Sequence, residues 1–556
     1  MFGADTKMLL SLQNDNLVLP CRFISRTAII SSMPNKSVSL ETGLPDTIYE
    51  LIARQAQQQP EHFALTGLNG LSLNYRGLLA QINRTIASLN SRGIGRQDCV
   101  ALVLPNGPDL ATAFLAIAAG ATCAPLNPGY RREEFEFYLK DLRAKALVVS
   151  ARSDSPAVEA AIAIGVNVIE LESGGSDEPV GTFFLRGPDG SHGPGAGPAR
   201  NAFAASRDTA MVLHTSGTTS RPKIVPLSGA NICASAHHIA RTLKLVPQDR
   251  CLNIMPLFHI HGLMGAVAAS VAIGAEIVCT PGFDAMKFFS WVRDFKPTWY
   301  TAVPTMHQAI LGRALRNRDI VDNSQLRFIR SSSASLPPQV MKELESLFGA
   351  PVIESYGMTE AAHQMASNPL PPGIRKPGSV GIAAGPEIAV MDEKGNLLSN
   401  GTVGEVVIRG PNVAVGYENN PTANAEAFTD GWFRTGDQGF LDGDKYLTIT
   451  GRLKEIINRG GEKISPREVD EVLLDHPSIQ QAVTFSVPHS KLGEEVAAAV
   501  VLREGLEVKE RDIRSFLSQR LADFKVPRKI VFLDEIPKGP TGKLQRIGLA
   551  EKLGLV

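Results

Sequence analysis

The chain has 556 residues, too many for a single hydrophobic core, so two or more domains are expected. Apolar residues make up 44%, charged residues 20%, and the formal net charge is zero, which removes the electrostatic case for nucleic acid or an anionic membrane as main partner. No apolar run approaches the roughly 18 residues of a membrane-spanning helix. The six cysteines, Cys21, Cys99, Cys123, Cys233, Cys251 and Cys279, form no C-x-x-C pair. They imply neither a zinc site nor a disulfide frame, and they point to a reducing, cytoplasmic compartment. The terminus Leu553-Gly554-Leu555-Val556 is not a peroxisomal Ser-Lys-Leu signal.

Residues 1–43 read as a leader outside the fold. Asn16 to Ser39 holds no acid and carries Arg22, Arg26 and Lys36, as a transit peptide would. Asp5 and Asp15 precede it, so a disordered leader or a start at Met33 fits as well. Tyr49–Gln58 and Tyr75–Arg92 have helical apolar spacing, and Asp109–Ala119 is helical and rich in small residues. Cys99–Leu104, Ala146–Ser150, Ala210–Leu213, Ala275–Val278 and Leu326–Arg330 read as short strands. Continuous apolar strands alternating with helices predict parallel sheets covered on both faces. Arg186–Arg200 carries five glycines and three prolines and reads as a loop insertion. After Gly381 the pattern changes to short strands, Ile388–Met391, Gly404–Arg409 and Tyr446–Ile449, which predict a small antiparallel subdomain. The last hundred or so residues read as a separate α+β unit. Helices are predicted at Pro466–Leu474 and Glu510–Leu521, and strands at Gln481–Val487, Val496–Leu502 and Ile530–Leu533, with the boundary near Lys454. No internal repeat is visible.

The segment Leu213 to Lys223 packs five hydroxyls, a glycine and fixed positive charge into one loop. Hydroxyls and backbone N–H groups donate to phosphate oxygens, glycine lets the backbone come close, and lysine adds point charge. A Walker A loop needs a glycine before the lysine and a Ser/Thr after it, whereas Pro222 and Ile224 flank Lys223. Four further segments follow: Pro256-Leu257-Phe258-His259-Ile260-His261-Gly262, Glu354-Ser355-Tyr356-Gly357-Met358-Thr359-Glu360, Trp432 to Asp437, and Gly451 to Glu455 with Pro537 to Lys543. In this order they resemble the acyl-adenylate-forming superfamily of acyl-CoA synthetases, adenylation domains and luciferases. The resemblance runs from about Leu44 to about Arg546.

The resemblance implies an α/β fold: a large N-terminal domain (44–453) of two αβαβα-layered subdomains plus a small β-barrel-like subdomain, then a small mobile α+β domain (454–556) hinged at Lys454. It implies that Thr215, Ser216, Gly217, Thr218, Thr219 and Lys223 bind the ATP triphosphate. Ser333 and Ala334 belong to the adenine pocket. Glu354, Ser355, Tyr356 and Gly357 lie along the nucleotide, with Tyr356 stacked on adenine. Thr359 contacts the α-phosphate, Glu360 holds Mg²⁺, and Asp437 and Arg452 bind the ribose. A single carboxylate completed by phosphates and water suits Mg²⁺. Lys543 bridges the substrate carboxylate and the α-phosphate, as a flexible lysine on a mobile loop can. Gly460 and Gly461 let the pantetheine arm of CoA, the second co-substrate, pass the backbone. His259 stands at the family's gate position and joins Lys543 and Thr359 as a catalytic candidate. The oligomeric state is not legible.

His238, His261, Arg330, Ser332 and His363 are the candidates for the acid pocket, together with His259; His307 and Ser331 lie in neighbouring segments. A fatty chain would prefer apolar walls, whereas a second carboxylate needs donors or a cation. Thr298–His307, Leu326–Leu336, Met358–Pro372 and Ile456–Val469 resemble the oxalyl-CoA synthetases of plants and fungi. The chain departs from them in its leader, its glycine-rich insertion, Ser332 in place of cysteine, and Gly357 in place of the plant alanine. The expected activity is therefore ATP-dependent ligation of an acid, oxalate first, to CoA. Malonate, short or medium fatty acids and coumarate-type acids are alternatives, as are loading of a separate carrier protein and a non-catalytic nucleotide-binding role. Lys543→Ala is expected to slow adenylation about 100-fold or more while sparing CoA attack on preformed acyl-AMP, measured as two separate half-reactions. Equal loss in both would refute the role given to Lys543.

Overall fold

A computed structural model describes residues 43–187, 203–215, 222–539 and 544–556. Most of the leader, most of the glycine-rich insertion, Ser216, Gly217, Thr218, Thr219 and Lys543 lie outside the described residues.

The short apolar strands build two large sheets. One has seven strands, in the order Phe183–Arg186, Asn167–Ser173, Ala146–Ser150, Cys99–Val103, Thr122–Pro125, Thr209–Thr215, Lys223–Ser228. The other has nine, running from Ile382–Ala383 through His363–Ser367, Val352–Met358, Phe328–Ser331, Trp299–Ala302, Arg250–Asn253, Glu276–Cys279 and Phe63–Gly67 to Ser72–Asn74. Both are parallel inside and antiparallel at their edges.

Side-chain alternation explains the layering. Along Cys99–Val103, Val100 joins the central core, while Ala101 and Val103 join an outer core beneath the helices Arg132–Asp141 and Pro156–Ala163. In the larger sheet Cys251 and Ile277 face the central core, and Leu252 and Val278 face an outer core with Phe288, Ile310 and Leu344. Both faces of these inner strands are buried, so the sequence shows an apolar run where a half-exposed strand would show alternation. The central layer contains Ile48–Gln58, Tyr75–Ser91, Pro108–Ala118 and Gly229–Thr242. Every residue from Leu110 to Ala118 is buried, and its alanines let that helix pass between the sheets.

A five-stranded antiparallel sheet of Glu387–Met391, Gly404–Arg409, Phe428–Thr429, Trp432–Leu441 and Leu447–Arg452 forms the small β unit. The last sheet joins Ile457–Arg459, Glu462–Ile464, Ile479–His489, Gly493–Leu502 and Lys529–Phe532 over its own core, with Val469, Leu473, Ile513 and Leu517 from the covering helices. Some details differ from expectation. Arg186, expected in a loop, belongs to an edge strand paired with Asn167–Ser173. The second C-terminal helix stops at Ser518. His261–Ala268 winds as a π-helix, which no apolar spacing announced.

The reversal that joins Val352–Met358 to His363–Ser367 is the tightest feature near the site. Ala362 and His363 take φ of 45° and 92°, a region that non-glycine residues rarely occupy. The pairing shifts by a bulge between Tyr356 and Gly357, and a Cβ on Gly357 would fall 1.6 Å from the carbonyl oxygen of His363. Gly357→Ala is therefore expected to destabilise the protein by roughly 1–3 kcal/mol, read as a lower denaturant midpoint. An unchanged midpoint would show that the two strands slide freely.

Candidate active site

Two clusters of predicted residues assemble at the carboxyl ends of the parallel strands, where open α/β sheets place their ligands. The first surrounds the nucleotide candidates. Asp437 and Arg452 are directly opposed in the antiparallel pair of the small β unit. Arg452 Nε donates to Asp437 Oδ1 at 2.8 Å, and Tyr356 Oη donates to Asp437 Oδ2 at 2.5 Å. Burial, then the Asp437 charge, holds the Tyr356 phenol protonated far above its ordinary range. Thr359 and Glu360 form the short turn after Met358. Glu360 is buried, and desolvation raises its pKa against the opposing pull of Tyr417, Arg452 and Lys223. Thr215 closes its strand opposite Lys223, so that strand pair brackets the loop read as a phosphate site. The Lys223 ammonium lies 4.4 Å from the centroid of the Tyr417 ring, and Tyr417 Oη donates to Glu360 Oε1 at 2.9 Å.

No group of three or more His, Cys, Asp or Glu side chains among the described residues forms a metal cage. One buried carboxylate beside phosphate-binding candidates still fits Mg²⁺, which takes few protein ligands and completes its shell with phosphate and water.

The second cluster is deeper. Arg330 and Thr301 stand on neighbouring parallel strands. Arg330 Nη1 donates to His363 Nε2 at 3.0 Å and to Thr301 Oγ1 at 3.4 Å, and Nη2 donates to Gln364 Oε1 at 3.3 Å. Accepting that bond requires His363 to carry no proton on Nε2. His261 shares hydrogen bonds with Thr301 Oγ1 at 2.6 Å and Ser333 Oγ at 3.0 Å, and its ring stacks on His363. Ser333, with φ of 74°, links the deep cluster to the segment read as the adenine pocket. Arg330 is fully buried, no ion pair reaches it among the described residues, and its Nε has no partner. Burial lowers its pKa to about 9. A Cβ on Gly265 of the π-helix would meet Arg330 Nη1 at 2.9 Å and His363 Nε2 at 3.0 Å.

Other candidates stand apart or are already engaged. Ser332 Oγ donates to the Ser355 carbonyl and Ser355 Oγ to the Ser331 carbonyl, so both hydroxyls tie adjacent strands together. Ala334 is exposed beside them. His259 Nδ1 accepts the His261 N–H at 3.3 Å from the turn before the π-helix. His238 packs on Gly385, with its Nδ1 unpartnered and no bond to Arg330, and burial lowers its pKa to about 4. His307 faces Tyr300 in the outer core, where burial lowers its pKa to about 3. Lys454 lies in a short 3₁₀ turn, Leu453–Glu455, and Gly460 and Gly461 form the turn between Ile457–Arg459 and Glu462–Ile464. Sequence reasoning missed Thr301, Gln364, Gly265 and Tyr417; Thr301 and Gln364 lie in the segments Thr298–His307 and Met358–Pro372, whose resemblance did not single them out.

Residues 52–418 match the family model described as AMP-binding enzyme, and 468–543 match the AMP-binding enzyme C-terminal domain. The chain belongs to the AMP-binding enzyme family. It is 45% identical over 508 residues to an oxalate–CoA ligase of Arabidopsis thaliana, covering 90% of this chain and 97% of that protein. It is 42% identical to an oxalate–CoA ligase of Saccharomyces cerevisiae, covering 82% and 87%. Among solved structures, ATP-bound MatB from Rhodopseudomonas palustris superposes with a TM-score of 0.80 at 29% identity, covering 91% of this chain and 98% of MatB. Like other members of this family the chain is an enzyme built on a mixed α/β frame. No helix among its described residues is long and apolar enough to cross a membrane.

Glu354 contributes a pH dependence. Its Oε1 accepts the Leu336 N–H at 3.0 Å, its Oε2 has no partner, and burial lifts its pKa to about 7 while Arg467 opposes the rise. The folded state thus holds this proton more tightly than the unfolded chain, where a glutamate titrates near ~4.3. Its stabilising contribution is complete at low pH and is lost as pH rises through about 7. Glu354→Gln is expected to be more stable than the parent at pH 8, with a smaller difference at pH 5, by thermal unfolding. A constant difference would mean that Glu354 titrates normally.

Proposed function

We propose that the chain is an AMP-forming acid–CoA ligase whose acid is oxalate. The observation that carries the reading is the Arg330 guanidinium, fully buried and without an anionic partner among the described residues. A lone buried cation is costly, and an acid whose far end is a second carboxylate supplies the missing charge. His261, His363 and Thr301 add hydrogen-bonding capacity around it. The close packing of Gly265 against Arg330 and His363 favours a two-carbon acid over a longer one. Two relatives that match most of this chain carry the name oxalate–CoA ligase.

In the first half-reaction a carboxylate oxygen attacks the α-phosphorus of ATP. The bond to the β-phosphate bridging oxygen breaks, pyrophosphate leaves, and oxalyl-AMP forms. In the second the CoA thiol gives up its proton, its sulfur attacks the acyl carbon, and AMP leaves with the electrons of the broken C–O bond. We assign adenine to Tyr356, Ser333 and Ala334, and ribose to Asp437 and Arg452. The phosphates fall to Thr215 to Thr219, Lys223 and Thr359. Glu360 would hold Mg²⁺, which when bound neutralises phosphate charge. Glu354, Ser355 and Gly357 shape the strand beneath the nucleotide, and His259 gates the acid. Residues 454–556 turn about Lys454 so that Lys543 acts in the first step and Gly460-Gly461 admits pantetheine in the second. The separate sheet and core of that segment support its moving as one body.

Pyrophosphate release should be measured with ATP, Mg²⁺ and CoA for oxalate, malonate, acetate, octanoate and coumarate, with the thioester identified by mass. Oxalate is expected to lead in kcat/KM. Arg330→Met should cost oxalate about 2–5 kcal/mol, roughly 30-fold or more, and acetate far less. Preference for octanoate or coumarate, or equal losses on oxalate and acetate, would overturn the assignment of oxalate.

A further inference from the structure

Phosphate-binding and metal-binding candidates come from distant parts of the chain, and one side chain touches both. Lys223 opens the strand Lys223–Ser228, whereas Glu360 sits in the turn Thr359–Ala361. Tyr417 contacts each of them: the ammonium lies 4.4 Å from its ring centroid, and its hydroxyl donates to Glu360 Oε1 at 2.9 Å.

The segment that delivers Tyr417 is fastened along its length. Asn231 Nδ2 donates to the carbonyls of Pro411 and Val413, at 2.7 and 3.1 Å. Asn412 Nδ2 donates to the carbonyls of Ala361 and Gln364, at 2.7 and 2.9 Å. Ala414 N–H donates to the Glu360 carbonyl at 2.7 Å, and Glu418 N–H to the Ile224 carbonyl at 3.0 Å. Asn424 binds both the N–H and the carbonyl of Tyr417. The strap thus joins the lysine strand and the glutamate turn directly, and the tyrosine ring, packed edge-on to Phe433, is buried between them.

We propose that Tyr417 is a positioning residue that sets the geometry between the triphosphate and its divalent cation, fixing the Glu360 carboxylate through its hydroxyl and the Lys223 ammonium through its ring. The inference rests on the reading of Lys223 as a phosphate ligand and Glu360 as a metal ligand. Its physical logic is that both partners stay charged and available. A carboxylate beside Lys223 would compete with phosphate, whereas an aromatic face attracts the ammonium without neutralising it. A hydroxyl donor orients the metal-binding carboxylate without adding charge, as outer partners of metal ligands do.

The test uses the full-length enzyme with Tyr417→Phe, Tyr417→Leu and Glu360→Gln. Mn²⁺ binding to the enzyme–ATP complex is read by electron paramagnetic resonance, beside the KM for ATP and the half-saturating Mg²⁺ concentration, all below each variant's Tm. Tyr417→Phe keeps the ring and loses the donor. It is expected to weaken Mn²⁺ binding about tenfold or more while the KM for ATP stays within about twofold. Tyr417→Leu should in addition raise the KM for ATP. Unchanged Mn²⁺ binding in Tyr417→Phe, with Glu360→Gln impaired, would overturn the role of Tyr417 alone. Unchanged binding in Glu360→Gln would overturn the metal reading and the inference with it. The Phe arm decides the matter even if the Leu variant fails to fold.

Discussion

The chain reverses direction between Met358 and His363, and most of the site hangs on that reversal. The strand before it runs parallel to Phe328–Ser331 and carries Tyr356; the strand after it runs antiparallel and carries His363 and Gln364. The turn itself presents Thr359 and Glu360. Two consecutive left-handed residues and a bulge closed against Gly357 make it strained. Strain of this kind persists only when the surroundings over-determine it. Ser235 Oγ, bonded to the Ala362 carbonyl, and Asn412 Nδ2, bonded to the Ala361 carbonyl, provide that restraint from two other elements.

The reversal also separates two electrostatic environments. On one side Lys223, Arg452, Asp437 and Glu360 bring charges of both signs close together. On the other Arg330 stands in a neutral setting of histidines, threonine and glutamine. Paired charges suit a nucleotide held by many directional contacts. A single unpaired cation suits a small anion that must bring its own charge. His261, bonded to both Thr301 and Ser333, joins the two sides.

Much of the frame was legible because burial on both faces removes polar residues from a strand. Cys99–Val103 and Ala146–Ser150 read as strands for that reason, whereas Arg186, read as the start of a loop, is the end of a strand. The ordered motifs carried the candidate residues, since short loops at strand ends hold most of the proposed chemistry. The cluster proposed to hold the acid was foreseen only in part. Arg330, His261 and His363 come together, while His238 and His307 look alike in sequence yet lie against Gly385 and Tyr300. The face of a helix on which a histidine sits does not reveal what packs against that face.

Local pattern, apolar runs and ordered motifs were enough to give the class of fold and to nominate the nucleotide candidates, because each depends on residues close together in the chain. Tertiary structure alone decided which distant side chains meet. Tyr417 reaches Glu360 across 57 positions, Arg330 reaches His363 across 33, and Ser333 reaches His261 across 72. Such contacts depend on strand register and on the strained turn, and neither leaves a periodic trace in sequence. That no carboxylate pairs with Arg330 among the described residues is likewise a property of the packed interior, since the chain has as many acids as bases.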